Sequence, residues 1–426
     1  MESKTASTTL TTTFLIPLSL IPISLIPISL IPLSLIPISL IPISFMTTTN
    51  EVRRQHILTR ILGIAILMVL ILVSIAGAAP FAYVTSIGVH TGAVFVIDTA
   101  TDNLKTVVPV EGWAGEAAIN PAGTKVYVTD SSGFSTNIFV IDTATNTVNA
   151  VVDVGGYPVG VAVNPKGSRV YVTRRCSSVD DGNNVSIIDT STNTVIDSIN
   201  VGLNIYNIAF SPDGKKIYAT NNRNNTISVI DVTTKKIIAS VHVGDYPTEI
   251  ATSPDGNKVY VINSGSNTVS VVDTAINNVT GNVSVGEGPS DIAVSPDGTN
   301  VYVTNWRSNN VSVINAATNT VIATIPVGLT PFGVAITPDG KKVYVANSAI
   351  YSSDYEDNNV SVIDTVTNKV TATVNTRKYT MNCPTGVVIG PSVKDGNDSS
   401  KINSIPGFGL LGGLVCLFLV QRLRKK

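Results

Sequence analysis

Few residues in this chain can do chemistry, and the most suggestive of them recur in phase. At one position of a repeating segment the sequence reads Glu116, Gly160, Asn207, Glu249, Asp291, Gly333 and Gly386. Three carboxylates and an amide brought to one level offer a calcium-like cation several oxygen ligands, so Glu116, Asn207, Glu249 and Asp291 form a candidate metal site. The plainer reading is three solvated acids around water. A second group follows the Tyr-Val-Thr-Asn-like tetrads: Arg174, Arg175, Arg223, Trp306 and Arg307, and in the longest such segment Tyr351, Tyr355, Glu356 and Asp357. Aromatic rings beside arginine suit sugars or protein partners. The plainer reading here is a set of solvated loops.

Other chemistry lacks its residues. Beyond the N-terminal segment the histidines are His90 and His242, which fall on different repeats, so neither a catalytic triad nor a histidine metal cluster can be assembled. No phosphate-binding glycine motif follows a strand. The three cysteines, Cys176, Cys383 and Cys416, form no CxxC or CxxCH, which removes zinc ribbons and c-type haem and makes a redox role a poor fit. Cys176 and Cys383 fall in non-adjacent repeats, so no disulfide between them is expected. A net charge of −1 argues against nucleic acid. No cofactor is expected other than calcium.

The elements that must position these residues are copies of one unit. Tetrads begin at Tyr83, Tyr127, Tyr171, Tyr218, Tyr260, Tyr302 and Tyr344. They stand about 42–47 residues apart, the period of propeller blades. Within one unit, residues 290–295 read as a short strand and Ser295-Pro296-Asp297-Gly298 as a tight turn. Residues 300–304, 310–315 and 320–327 read as three further strands, alternating and rich in Val, Ile and Thr. Asp98, Asp142, Asp189, Asp231, Asp273, Asn315 and Asp364 end the third strands and read as turn formers. The first unit, from Phe81, lacks an opening strand. The last is followed by Cys383 to Pro391, an opening strand with nothing after it. One incomplete end fits the other. The expectation is an all-β, seven-bladed propeller of four-stranded antiparallel blades over 81–391, closed by the C-terminal strand joining the N-terminal blade.

The chain ends read differently. Residues 1–45 are dominated by LIP[IL]S pentads, whose proline every fifth residue breaks any helix. They read as a translated nucleotide repeat upstream of the real start, or else as a real apolar extension. Residues 46–79 combine Arg53, Arg54 and Arg60 with an apolar run from Ile61 to Ile75 and small residues after it, the layout of a signal peptide or an uncleaved signal anchor. After a polar spacer at 392–404, the segment 405–426 carries Pro406-Gly407-Phe408, an apolar run and a basic end, and reads as a membrane or sorting segment, or else as a simple short membrane tail. N-x-S/T acceptor sites for glycans occur at Asn184, Asn224, Asn278, Asn282, Asn310, Asn359 and Asn397. Asn184, Asn224, Asn310 and Asn359 are expected at equivalent places where a loop enters the third strand.

The in-phase tetrads and Ser-Pro-Asp-Gly turns, from Ala82 to Pro391, resemble the YVTN-repeat β-propellers, a family typified by archaeal surface-layer proteins. The first copy, Tyr83-Val84-Thr85-Ser86, departs most. Pro406-Gly407-Phe408 resembles a PGF-type archaeal sorting signal, whose tail is cut and replaced by lipid. These resemblances imply a propeller displayed outside the cell, anchored at an archaeal envelope, with other envelope proteins or glycans as partners and no catalytic residues. The expected role is a non-enzymatic surface-layer component or displayed adhesion module. The alternative is a lactonase-like hydrolase or lyase using a metal at the acidic channel mouth.

Overall fold

The structure, a computed structural model, describes residues 80–391 apart from 89–90, 134, 176–183, 203–204, 349–357 and 377–382. The terminal segments 1–79 and 392–426 lie outside the described residues. Short β-branched stretches punctuated by Pro, Asp, Asn and Gly favour strands, and the described residues form seven four-stranded antiparallel sheets. Blade 6 shows the pattern: an inner strand Pro289–Val294, then Asn300–Asn305, Asn310–Asn315 and an outer strand Thr320–Pro326. The inner strands of blades 2 to 5 are Ala114–Ile119, Tyr157–Val163, Ile205–Phe210 and Pro247–Thr252, and that of blade 7 is Pro331–Ile336. Each lies beside the next around a central channel.

The apolar cores lie between blades. Seven hydrophobic clusters each draw on two neighbouring blades; Tyr302, Val311 and Val313 of blade 6, for example, pack on Val343, Val345 and Ile363 of blade 7. Central strands are covered on both faces, which is why the tetrad tyrosines, Tyr171 apart, are among the largest fully buried side chains.

The polar residues of the repeat reinforce the same interfaces. The tetrad threonine accepts a backbone N–H from its own inner strand and donates to a carbonyl of the next blade. Thr173 accepts from Gly160 at 2.7 Å and donates to Tyr206 at 2.8 Å. Thr220 does so between Asn207 and Thr248, and Thr304 between Asp291 and Phe332. Lysines opening the second strand also reach the following blade: Lys125 Nζ donates to the carbonyl of Thr190 at 2.8 Å and Lys216 Nζ to that of Thr274 at 3.3 Å. The tight turns interlock too. Gly214, at φ 70°, is packed so closely on Pro165 of the preceding blade that an added Cβ would sit 3.3 Å from its Cδ.

Closure is as the sequence implies. Cys383–Ile389 pairs with Phe81–Ile87 and becomes the inner strand of blade 1, adjoining the inner strands of blades 7 and 2. Pro391 supplies the turn proline that blade 1 lacks, packing on Gly123 as the other turn prolines pack on their glycines. Gly386 N–H donates to Thr85 Oγ1 at 2.8 Å, repeating the threonine bond across the two chain ends. Lys342 of blade 7 reaches blade 1, bonding the Thr99 carbonyl at 2.9 Å and forming an ion pair with Asp102 at 2.8 Å, while the Tyr344 hydroxyl also donates to Asp102. Asp102→Ala removes two partners at once from a half-buried site, and is expected to lower unfolding stability by about 2 kcal/mol. Lys215→Ala, which breaks the solvated pair with Asp213, is expected to change it by under about 0.5 kcal/mol. Urea denaturation of both variants checks the contrast.

Candidate functional site: the channel and the loop face

The ring expected at the channel is assembled from the middle of the inner strands. Glu249 and Asn207 are buried; Glu116 and Asp291 are half-buried. The side chains of Asn207 and Asp291 reach toward the next blade. Asn207 Nδ2 donates to Glu249 Oε2, and Asn207 Oδ1 accepts from the backbone of Ile208 at 2.7 Å. Asp291 accepts from its neighbour Ile292 and from Val334 of blade 7, both at 2.7 Å. The three glycine positions are places of close approach. A Cβ on Gly160 would lie 2.4 Å from Asn207 Oδ1, and one on Gly333 would lie 2.7 Å from the Gly386 Cα. Glycine thus lets the inner strands of blades 7 and 1, and of 3 and 4, meet closely; Glu116 of blade 2 lies between two glycine positions, and Asn207, Glu249 and Asp291 occupy blades 4 to 6.

Burial sets the protonation of these acids. Removal from water pushes the Glu116 carboxyl up to about 7. It raises Glu249 and Asp291 well above the carboxylate range, with the negative charge of Glu116 adding to both and that of Asp291 adding to Glu249. The bond from Asn207 and the backbone donors to Asp291 oppose the shift without cancelling it. The three acids thus raise one another's affinity for protons across different blades. Among the described residues, however, no group of three or more His, Cys, Asp or Glu has the arrangement of a metal cage. The donors that would serve calcium are partly committed to protein groups: both oxygens of Asp291 and one of Glu249 already accept hydrogen bonds.

The second group lies on the face of the propeller where the inner strands begin. Arg174 and Arg175 were expected in a loop; the second strand instead runs through both, Arg169–Arg175, because Tyr157 and Pro158 of the inner strand pair with them. Arg174 donates to the Gly155 carbonyl at 2.5 Å, and Arg175 lies over the Tyr206 ring at 5.3 Å. Burial and the nearby Glu249 and Glu116 charges push the Tyr206 hydroxyl up to about 12. Trp306 is covered from two directions. Arg307 lies over its ring at 4.7 Å, and Phe332 of blade 7 stacks at 6.4 Å with an interplanar angle of 13°. These rings join neighbouring blades and are less open than the sequence implied. Arg223 is exposed. Tyr351 and Tyr355 lie outside the described residues.

Sequence reasoning missed the aromatics nearest the channel. Tyr206 and Phe332 immediately precede the ring positions Asn207 and Gly333, and that register was the available signal. It also missed two exposed rings on the crossings into the inner strands, Trp113 (39% exposed) and Tyr246 (53% exposed). Tyr246 has φ 59°, where blade 6 has Gly288 at φ 65°. A bulky residue in this left-handed region is strained. It is held by a bond from its N–H to Asn225 Oδ1 at 2.9 Å and by Ser264, whose N–H donates to its carbonyl at 3.1 Å.

The glycan acceptors divide by position. Asn184, Asn310 and Asn359 open third strands, but Asn224 does not match them: its strand begins at Thr226, so Asn224 lies in the preceding turn. Asn224, Asn278 and Asn282 are exposed, the last two on the outer strand of blade 5. Asn310 and Asn359 are half-buried and accept from the tetrad residues Asn305 and Asn347 at 2.8 Å. Asn397 and the Pro406-Gly407-Phe408 motif lie outside the described residues. His242 ends an outer strand, at the rim of blade 4, and is exposed.

Comparison with known proteins places the chain among β-propellers. Residues 248–379 match the YNCE-like beta-propeller family, and residues 204–285 match the family described as lactonase, 7-bladed beta-propeller. None of the curated proteins compared matches the sequence. Among solved structures, a functionally unknown protein from Desulfotomaculum acetoxidans DSM 771 is similar at 19% identity and a TM-score of 0.61, covering 73% of this chain and 99% of that one. The hydrazine synthase of Kuenenia stuttgartiensis is similar at 21% identity and a TM-score of 0.57, covering 68% of this chain and 96% of the other. At these identities the likeness is one of fold.

The raised carboxyls set a pH dependence whose sign is definite. A group that holds its proton more tightly when folded stabilises fully below its unfolded value, 4.5 for Glu116, and loses that contribution as pH rises through about 7. Melting temperature is therefore expected to fall between about pH 5 and about pH 8, and Glu116→Gln is expected to flatten that fall. A thermal-melt series at constant ionic strength reads both; a Glu116→Gln profile as steep as the parent would remove Glu116 as the cause.

Proposed function

We propose that this chain is a non-enzymatic cell-surface protein, exported and tethered at an archaeal envelope, which presents its propeller as a surface-layer component or a displayed binding module. The supporting observation is how the repeat spends its polar groups. Tetrad threonines, second-strand lysines and third-strand aspartates are engaged in turns and in bonds between blades. They build a rigid ring and leave sequence variation to the crossings and loops of one face, where binding residues accumulate on a fixed scaffold. The N-terminal apolar segment and the Pro406-Gly407-Phe408 tail support export and anchoring, and Asn224, Asn278 and Asn282 are the exposed glycan acceptors. Partners are other envelope proteins or glycans.

A second reading has its own observation. The lactonase family match at 204–285 spans Asn207 and Glu249 of the channel ring, and a carboxyl protonated near neutrality is suited to general-acid work. A hydrolase or lyase using a metal, calcium being the natural choice, would act there.

Quantitative mass spectrometry of cell envelopes, after proteolytic shaving of intact cells, tests the first reading. High abundance in a detergent-resistant layer, with propeller peptides released by shaving, is the expected result. Low abundance joined to a metal-dependent lactone hydrolysis that Glu249→Ala abolishes would establish the enzyme instead.

A further inference from the structure

We infer that the propeller stands with its turn face toward the membrane and its loop face outward; this rests on the tethering just proposed. The argument comes from where the described chain enters and leaves the ring. Phe81 opens the second strand of blade 1 opposite Asp98, which begins an outer turn. Ile389 pairs with Ala82, and Gly390 N–H donates to the Phe81 carbonyl at 3.0 Å. Pro391 then packs on Gly123 in the inner turn of blade 2. Both ends of the described chain therefore emerge side by side from the face that carries the tight turns. The other ends of the same two strands, Ile87 and Cys383, lie toward the loop face, about 20 Å away at the strand rise.

A tether at either end thus pulls on the same face. The N-terminal apolar run ends at Ile75, and residues 76–80 reach at most roughly 18 Å. A retained anchor would hold the turn face close to the bilayer. The spacer 392–404 reaches roughly 45 Å at most, which allows more play and the same attachment point. The two faces also differ in what they offer. Exposed lysines of the tight turns, Lys166, Lys215 and Lys341, are on the turn face. The exposed Trp113 and the strained, exposed Tyr246 are on the loop face. Exposed aromatic rings carried by loops on a rigid scaffold are where partners are met. The outward face is then the one that meets another envelope component.

The test uses the full chain in native membranes. Lys215→Cys (turn face) and Glu287→Cys (loop face) are each made in a background with Cys176→Ser and Cys416→Ser; Cys383 is buried. Each is labelled with a fluorophore, and quenching by a lipid-borne acceptor is measured. At least twofold stronger quenching at position 215 than at 287 is expected. Equal or reversed quenching in protein that sediments with membranes would overturn the orientation while leaving the tether intact. Protein that stays in the supernatant would remove the tether, and the orientation with it.

Discussion

Each blade of this protein is stabilised chiefly by what it does to the next. A four-stranded sheet has two faces to cover, and a blade covers them only with its neighbours, so the hydrophobic clusters fall one to each interface. The tetrad threonine adds a directional bond to the same interface. It satisfies an inner-strand N–H that the bulge in each inner strand frees from the ladder, and it donates across to a carbonyl of the next blade. Each such bond contributes on the order of 1 kcal/mol. Repetition makes them collectively decisive, because an open ring would expose two whole sheet faces. Closure through Cys383–Ile389 is therefore a condition of the fold.

That dependence explains much of the sequence. Tyr, Thr, Lys, Asp, Pro and Gly recur in phase because each occupies a fixed place in an interface or a turn. The exceptions are informative. Blades 5 and 7 carry Ile262 and Ala346 where the other five carry threonine, and these two residues cannot make that bond to the neighbouring blade. Blade 3 opens its second strand with Arg169, which pairs with Asp189 of its own blade at the expense of the cross-blade contact lysine makes elsewhere. Blade 1 replaces the missing turn with Pro391 and adds the Lys342–Asp102–Tyr344 cluster at the seam.

The fold was legible because its signals are periodic. Tyrosine spacing gave the number of blades, and the unmatched strand at Cys383 gave the closure. The channel position of Glu116, Glu249 and Asp291 was also legible, since register within a repeat carries over to register in space. What the acids do was not. Their protonation depends on burial and on charges from blades far apart in sequence, and their freedom to bind a cation depends on Val334 and Asn207, which no local pattern identifies. The loop face was read least well. Trp306 looked open in sequence, but stacking with Phe332 is a contact between blades. Tyr246 looked unremarkable in a crossing, and its positive φ is visible only in the backbone. Arg175 was placed in a loop because the extra paired residues of that strand depend on Tyr157 opposite.

Closure of the ring is the claim on which both the fold and the exit of the chain ends depend. Native-state hydrogen exchange read by mass spectrometry addresses it directly, by comparing peptides that cover Cys383–Ile389 with those that cover Pro289–Val294. A closed ring predicts that the two inner strands are protected to within about tenfold, since both open only with the whole molecule. Exchange at Val387 and Val388 faster by several orders of magnitude would contradict it, and would show that the C-terminal strand frays from blade 1 in solution.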